Sequence, residues 1–428
     1  MKINDLYTIY KQHPIVCTDT RQITKGCLFF ALKGENFNGN EFANKAIEEG
    51  ASYAIIDEAS FAVEGKTIVV NNVLETLQQL ANHHRHQFNI PFIGITGSNG
   101  KTTSKELVNA VLSQQYKTAF TKGNLNNHIG VPLTLLSIPM DCEMAIIEMG
   151  ANHIGEIDFL CQIAEPNYGI ITNIGTAHIE GFGSKEGVVQ TKSEMYRFIK
   201  RNNHLLFVNK DDEMLMQLAQ NNSTYTYGVN HADCMATMVK EMPRLEIEWN
   251  HMTIQSNLYG SYNFYNILLA ICVGNYFKVE DHKIKKGIEA YVSSNNRSQI
   301  VALKNQEIYL DAYNANPTSM NAAMDSFAGI PSPDKLMILG DMLELGDISQ
   351  EEHQKIVTKA HHLNIPTLFV GQEFKKTDDH YQFHFFDTNH SVVEWLKNND
   401  ISYRKVLIKG SRGIKLEVVA DYLIKKGS

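Results

Sequence analysis

Residues 92–106 read Phe-Ile-Gly-Ile-Thr-Gly-Ser-Asn-Gly-Lys-Thr-Thr-Ser-Lys-Glu. An apolar, β-branched run ends in a Gly/Ser/Asn turn, a lysine and two threonines follow, and residues 107–112 carry apolar side chains at helical spacing. That is strand, phosphate loop, helix. Glycines in such a loop let backbone N–H groups converge on phosphate oxygens, and the helix N-terminus favours negative charge. Lys101 is placed to reach the terminal phosphates and Thr102 to hold Mg²⁺, so these residues point to a nucleoside triphosphate. The general pattern asks for glycine five residues before Gly100, where this chain has Ile95.

Outward from the loop, strand-like runs at 92–96, 144–149, 168–174 and 205–208 alternate with helical segments, the pattern of a parallel sheet with helices on both faces. Such a sheet binds ligands beyond the C-terminal ends of its strands. Upstream, runs at 27–32, 53–56 and 67–70 with a helical segment at 42–49 predict a small α/β domain, followed by a helix within 71–88. Downstream, residues 222–258 are β-rich, 262–275 helical, and Ser-Ser-Asn-Asn-Arg at 293–297 linker-like. Strands at 308–311, 336–339, 367–370 and 405–409 then alternate with helices near 320–327, 350–361 and 392–398. The expected fold class is α/β in three domains: a small N-terminal α/β domain (1–78), a central P-loop domain with a mostly parallel sheet and helices on both faces (79–294), and a C-terminal Rossmann-like α/β domain (295–428).

A length of 428 residues accommodates two to three domains, and 39 Lys+Arg against 47 Asp+Glu oppose non-specific nucleic-acid binding. The six cysteines are scattered without a C-x-x-C pair, which predicts reduced, buried thiols rather than disulfides or a zinc site. Charges interrupt the N-terminal region where a signal peptide needs an apolar run, and no stretch approaches ~18 apolar residues. A soluble cytoplasmic protein with no membrane or nucleic-acid partner is expected.

Polar residues at strand ends are the candidates for chemistry. Glu148 follows the run at 144–147 and can bind Mg²⁺ directly or through water. Asn173-Ile174-Gly175-Thr176-Ala177-His178 follows the next strand and offers His178 as a ligand for a second Mg²⁺. Lys192, on the residues alone, reads as a solvated surface lysine on a helix. In the third sheet Asp311-Ala312-Tyr313-Asn314-Ala315-Asn316-Pro317, residues 340–346 and Lys409-Gly410-Ser411-Arg412-Gly413 form three polar loops at one edge, which suggests a binding face.

Taken together, residues 97–103, Asn124-Leu125-Asn126-Asn127-His128-Ile129-Gly130, Glu148-Met149-Gly150-Ala151, residues 173–178, Gly260-Ser261-Tyr262-Asn263 with Asn266, and Arg297 resemble the Mur ligase family over nearly the whole chain and in the family's order. Ile95 is shared with the family's loop, and Tyr262 stands where many members carry His. The third-domain loops resemble those of the member joining D-alanyl-D-alanine to UDP-N-acetylmuramoyl-tripeptide; the Asp-Asn-Pro-Arg motif of the sister enzyme that adds the third residue is absent.

The resemblance implies ATP and two Mg²⁺ as cofactors, with Lys101, Glu148, His178 and Lys192 catalytic. Thr102, Glu148, His178 and Lys192 would serve the metals, Lys192 as a carbamate. Gly97, Ser98, Asn99, Gly100, Lys101, Thr102, Thr103, Asn263, Asn266, Arg297 and Asp311 would surround the nucleotide. Thr20 and Arg21, with residues 30–34, match the uridine side, and Asn126 and Asn127 lie between UDP-sugar and nucleotide. Tyr313, Asn314, Asn316, Ser411 and Arg412 would meet the incoming dipeptide. The implied reaction passes through an acyl phosphate, in the last cytoplasmic step of peptidoglycan precursor peptide assembly, and a monomer is expected. No residue is identified as the base for the attacking amine. The alternative is another ligase of the superfamily, such as a folylpolyglutamate synthase-like enzyme.

Overall fold

In the computed structural model, which describes residues 1–175, 179–294, 296–378, 380–399 and 403–427, the chain lays down three main sheets in succession. The first orders Val16–Cys17, Leu28–Phe30, Tyr53–Ile56 and Thr67–Val69, all parallel. Helix Ile3–Gln12 buries Leu6, Tyr7 and Tyr10, and helix Val73–Arg85 buries Leu77 and Leu80. The Tyr7 hydroxyl meets His84 Nδ1 at 3.0 Å, and the Tyr10 hydroxyl donates to the Leu136 carbonyl at 2.6 Å. One core therefore runs from Phe30 and Ile55 through Leu77 and Leu80 to Phe92 and Ile147.

The second sheet orders Cys234–Met235, Ser223–Gly228, Leu205–Asn209, Tyr168–Ile171, Phe92–Thr96, Met144–Glu148 and Thr118–Phe120, with every pairing parallel. Phe92–Thr96 and Met144–Glu148 are buried at every residue, as a helix-covered parallel sheet requires. After Met144–Glu148 the chain crosses over Phe92–Thr96 to place Tyr168–Ile171 on its far side. Strand order thus reverses at the phosphate-loop strand, and such a switch point opens a crevice at the strand C-termini. Helix Phe264–Tyr276, apolar on nearly all sides, and helix Asp281–Ala290 press on the phosphate-loop helix Lys101–Leu112. A Cβ on Gly274 would lie 2.5 Å from Val111, and one on Gly287 2.6 Å from the Ala110 carbonyl oxygen, so only glycine allows this approach. The β-rich stretch at 222–258 contributes the last two strands of this sheet and an antiparallel meander, Thr237–Lys240, Glu246–Trp249 and Met252–Gln255.

The third sheet orders Gln299–Ala302, Glu307–Asp311, Lys405–Lys409, Lys335–Gly340, Thr367–Val370 and His384–Phe386, with only the first pair antiparallel. Glu307–Asp311, Lys405–Lys409 and Lys335–Gly340 are adjacent and parallel, so their three polar loops emerge together. All six cysteines are buried and unpaired, and among the described residues no helix is long and apolar enough to cross a membrane.

Candidate active site

Strand Phe92–Thr96 delivers the loop to the sheet edge, and helix Lys101–Leu112 starts with Gly100 as its N-cap at φ +79°. Gly97 sits at φ +143°, and a Cβ there would fall 2.0 Å from Thr172 Oγ1. The next strand's end clamps the loop. Asn99 N–H donates to Asn173 Oδ1 (3.0 Å), while Asn173 Nδ2 (2.9 Å) and Thr172 Oγ1 (2.6 Å) donate to the Asn99 carbonyl. Thr172 was not singled out from sequence, because one hydroxyl after a strand carries no motif.

Lys101 Nζ donates to the Gly97 (2.7 Å) and Ser98 (3.2 Å) carbonyls of its own loop. Burial brings its pKa down to about 8, with Glu148 opposing that shift. Glu148 is 1% exposed; its Oε1 accepts from Thr102 Oγ1 (3.2 Å) and Asn126 Nδ2 (2.8 Å). Lys105 Nζ lies 3.3 Å from Glu148 Oε2, which makes no hydrogen bond among the described residues. Lys105, fully buried, was also missed; its only sequence signal is helical spacing from Thr102, which puts both on one face.

Lys192 is not a solvated surface residue. Helix Lys185–Arg201 turns it inward to 1% exposure, 5.2 Å from the centre of the Phe182 ring, and its Nζ has no hydrogen-bond partner among the described residues. Burial, with the Lys101 charge adding to it, brings its pKa down to about 7. His178 lies outside the described residues. Among those described, no group of three or more His, Cys, Asp and Glu side chains is gathered to hold a metal.

A cavity of about 720 Å³ lies between the central and third sheets. It brings together residues 98–103, Asn126, Asn127, Glu148, Asn263, Asn266, Arg297, Asp311, Tyr313, Asn314 and Arg412. Asn152, His153 and Glu156 also line it, and these were not singled out from sequence. Glu156 accepts the Asn152 (2.7 Å) and His153 (3.0 Å) N–H groups and so shapes that wall. On the helical wall Ser104 Oγ donates to Asn266 Oδ1 (3.0 Å) and Asn266 Nδ2 to Asn263 Oδ1 (2.9 Å). On the opposite wall Asp311 accepts from Lys409 Nζ (2.5 Å) and Ser298 N–H (3.2 Å). The Arg297 guanidinium stacks 3.6 Å from the centre of the Tyr313 ring, and Arg412 Nη1 donates to the Tyr313 hydroxyl at 3.3 Å.

Gly97, Lys192, Asn316, Ser411, Thr20 and Arg21 are not among the lining residues. Asn316 caps helix Pro317–Ala328, and its Nδ2 donates to Asn99 Oδ1 at 2.7 Å, joining the third domain to the phosphate loop. Ser411, buried, accepts the Leu343 N–H at 2.9 Å. Thr20 and Arg21 open a short helix, Thr20–Gln22, where exposed Arg21 Nη2 lies 2.6 Å from Asp19 Oδ2.

Comparison with known families matches residues 14–85 to the Mur ligase family catalytic domain, 95–274 to the Mur ligase middle domain and 296–412 to the Mur ligase glutamate ligase domain. The chain is 34% identical to the UDP-N-acetylmuramoyl-tripeptide--D-alanyl-D-alanine ligase of Bacillus subtilis, over 96% of this chain and 93% of that one. A crystal structure of MurF from Acinetobacter baumannii superposes with TM-score 0.85 at 30% identity, covering 96% of this chain and 93% of that one. MurF ligase from Thermotoga maritima in complex with ADP gives TM-score 0.85 at 25% identity, covering 99% of both chains.

Proposed function

We infer the reaction from one premise: the chain belongs to the Mur ligase family. It is an ATP-dependent ligase that joins D-alanyl-D-alanine to UDP-N-acetylmuramoyl-tripeptide. The observation that carries this reading onto these residues is the shared cavity, where the phosphate loop faces the Asp311, Tyr313 and Arg412 loops of the third domain.

A terminal carboxylate oxygen of the tripeptide attacks the γ-phosphorus of ATP and ADP leaves. The D-alanyl-D-alanine amine then attacks the acyl carbon, and phosphate leaves carrying the carboxylate oxygen. Lys101 exchanges the carbonyls of Gly97 and Ser98 for phosphoryl oxygens, and the N–H groups of residues 100–102 bind the remainder. Asn263, Asn266, Arg297 and Asp311 hold the nucleotide. Asn126 and Asn127 lie between nucleotide and UDP-sugar, and Thr20 and Arg21 at the uridine end. Tyr313, Asn314 and Arg412 form the dipeptide side, Asn316 and Ser411 support these loops from behind, and closure of the third domain excludes water from the acyl phosphate. Residues 1–78, 79–294 and 295–428 divide these tasks in a cytoplasmic monomer.

Two buried atoms make no hydrogen bond among the described residues and fit a cation site: Glu148 Oε2, which is ion-paired with Lys105 at 3.3 Å, and Lys192 Nζ. A neutral lysine amine is the form that adds carbon dioxide, and burial favours that form at Lys192. The resulting carbamate places an anionic oxygen donor where an ammonium would repel metal. Thr102, Glu148, His178 and carbamylated Lys192 would hold two Mg²⁺, which when bound neutralise charge on the transferred group.

Phosphate release from ATP tests the reading. It should require the UDP-tripeptide and D-alanyl-D-alanine together; release driven by glutamate with a folate acceptor would reassign the chain to the folylpolyglutamate branch.

A further inference from the structure

Half of the Asn99 side chain is in use. Its Oδ1 accepts from Asn316 Nδ2 at 2.7 Å, whereas its own Nδ2 is buried and has no hydrogen-bond partner among the described residues. A buried amide N–H without an acceptor is costly and calls for an explanation. Asn99 lines the cavity between Ser98 and Gly100, where the terminal phosphate of a nucleotide would lie. We propose that Asn99 Nδ2 donates to the phosphoryl group in transfer, and that Asn316 is the positioning residue that turns it to this task when the third domain is closed. The proposal rests on the nucleotide reading above.

The polarity follows from one helix cap. Asn316 Oδ1 accepts the Ser319 N–H at 2.9 Å, and Ser319 Oγ accepts the Asn316 N–H at 3.1 Å, a reciprocal capping box. With its oxygen committed to the cap, Asn316 presents only N–H to the phosphate loop. Asn99 must answer with its oxygen, and its Nδ2 is thereby left as the unused donor. The Asn99 backbone cannot rotate in compensation, because Asn173 and Thr172 hold its N–H and carbonyl. Released from Asn316, the amide could equally turn its oxygen toward the phosphates, where it would repel them. Docking of the third domain therefore selects the donor orientation, and with it the electrostatic complement to charge that grows in phosphoryl transfer.

Asn316→Asp separates this role from a structural one. One carboxylate oxygen still caps Ser319, but the other can only accept, so it recruits Asn99 Nδ2 and turns the donor away. The expected result is a kcat loss on the order of 10²-fold, with the KM for ATP within about threefold of wild type and an unchanged Tm. Affinity for ADP with aluminium fluoride, a mimic of the group in transfer, should fall by a similar factor while ADP affinity holds. Asn99→Ala should lose about as much, and the double variant no more than Asn99→Ala alone, since Asn316 acts through Asn99. If Asn316→Asp lowers Tm, Asn316→Ser, which caps without an N–H to offer, replaces it with the same expected loss. A kcat within about threefold of wild type, or losses that multiply in the double variant, would overturn the proposal. Failure of the wild type to bind ADP would instead sink the nucleotide reading beneath it.

Discussion

The phosphate loop at 97–103 and the third-domain loop at 311–317 both emerge from the C-terminal edge of a parallel sheet and contribute to one cavity, yet they dispose of their polar groups differently. The third-domain loop satisfies itself: Asp311 is held by Lys409 and Ser298, the Asn314 carbonyl accepts from Lys409, and Asn316 caps its own helix. Around the phosphate loop, Lys101 is bound to its own loop carbonyls, and among the described residues Asn99 Nδ2, Glu148 Oε2 and Lys192 Nζ lack hydrogen-bond partners. A loop that has consumed its donors can place a substrate; one that keeps them in reserve can answer charge that appears during a reaction. On the function proposed above, this contrast gives the chemistry to the central domain and placement to the third.

The largest effect should come from the reserved side. Lys192→Ala is expected to cut turnover on the order of 10³-fold, with partial recovery on adding formate or acetate as a substitute oxygen donor. Full activity in the variant would remove Lys192 from the site. On the satisfied side, Asp311→Ala strands Lys409, whose side chain is 1% exposed, and should cost about 3 kcal/mol of stability in urea unfolding. A negligible change would show that this loop is not held by the pair.

Gly97→Ala forces a Cβ to 2.0 Å from Thr172 Oγ1 and should cost about 2 kcal/mol together with ADP affinity, readable by calorimetry. The smallest effect is on pH. In buffer freed of carbon dioxide, where Lys192 is the unmodified amine, burial holds its pKa down at about 7 against 10.5 when free, so between those values the unfolded chain binds more protons. Stability should therefore rise with pH above 7, by about 1 kcal/mol per unit, and Lys192→Met should flatten that contribution. An unchanged slope would place the amine in water.

The phosphate loop was legible because its chemistry is local: glycine conformations, one lysine and a strand-to-helix switch lie within fifteen residues. The sheets were legible where strands are long and buried. The short strands Val16–Cys17 and Thr118–Phe120 were not, since so few residues carry no period. Lys192 inverted its expected environment because a helix read alone does not say which face meets the core. Lys105 and Thr172 were invisible for a related reason: each acts on a residue that only the fold brings near. The roles of Asn99 and Asn316 needed the third dimension most, since 217 residues separate the partners of one hydrogen bond.

One measurement tests the central claim most directly. UDP-N-acetylmuramoyl-tripeptide carrying ¹⁸O in its terminal carboxylate is incubated with ATP and D-alanyl-D-alanine, and both products are weighed by mass spectrometry. An acyl-phosphate ligase must yield the UDP-pentapeptide and inorganic phosphate bearing one ¹⁸O. Pentapeptide with unlabelled phosphate would contradict the mechanism, and no pentapeptide from folded, ADP-binding protein would contradict the reaction itself.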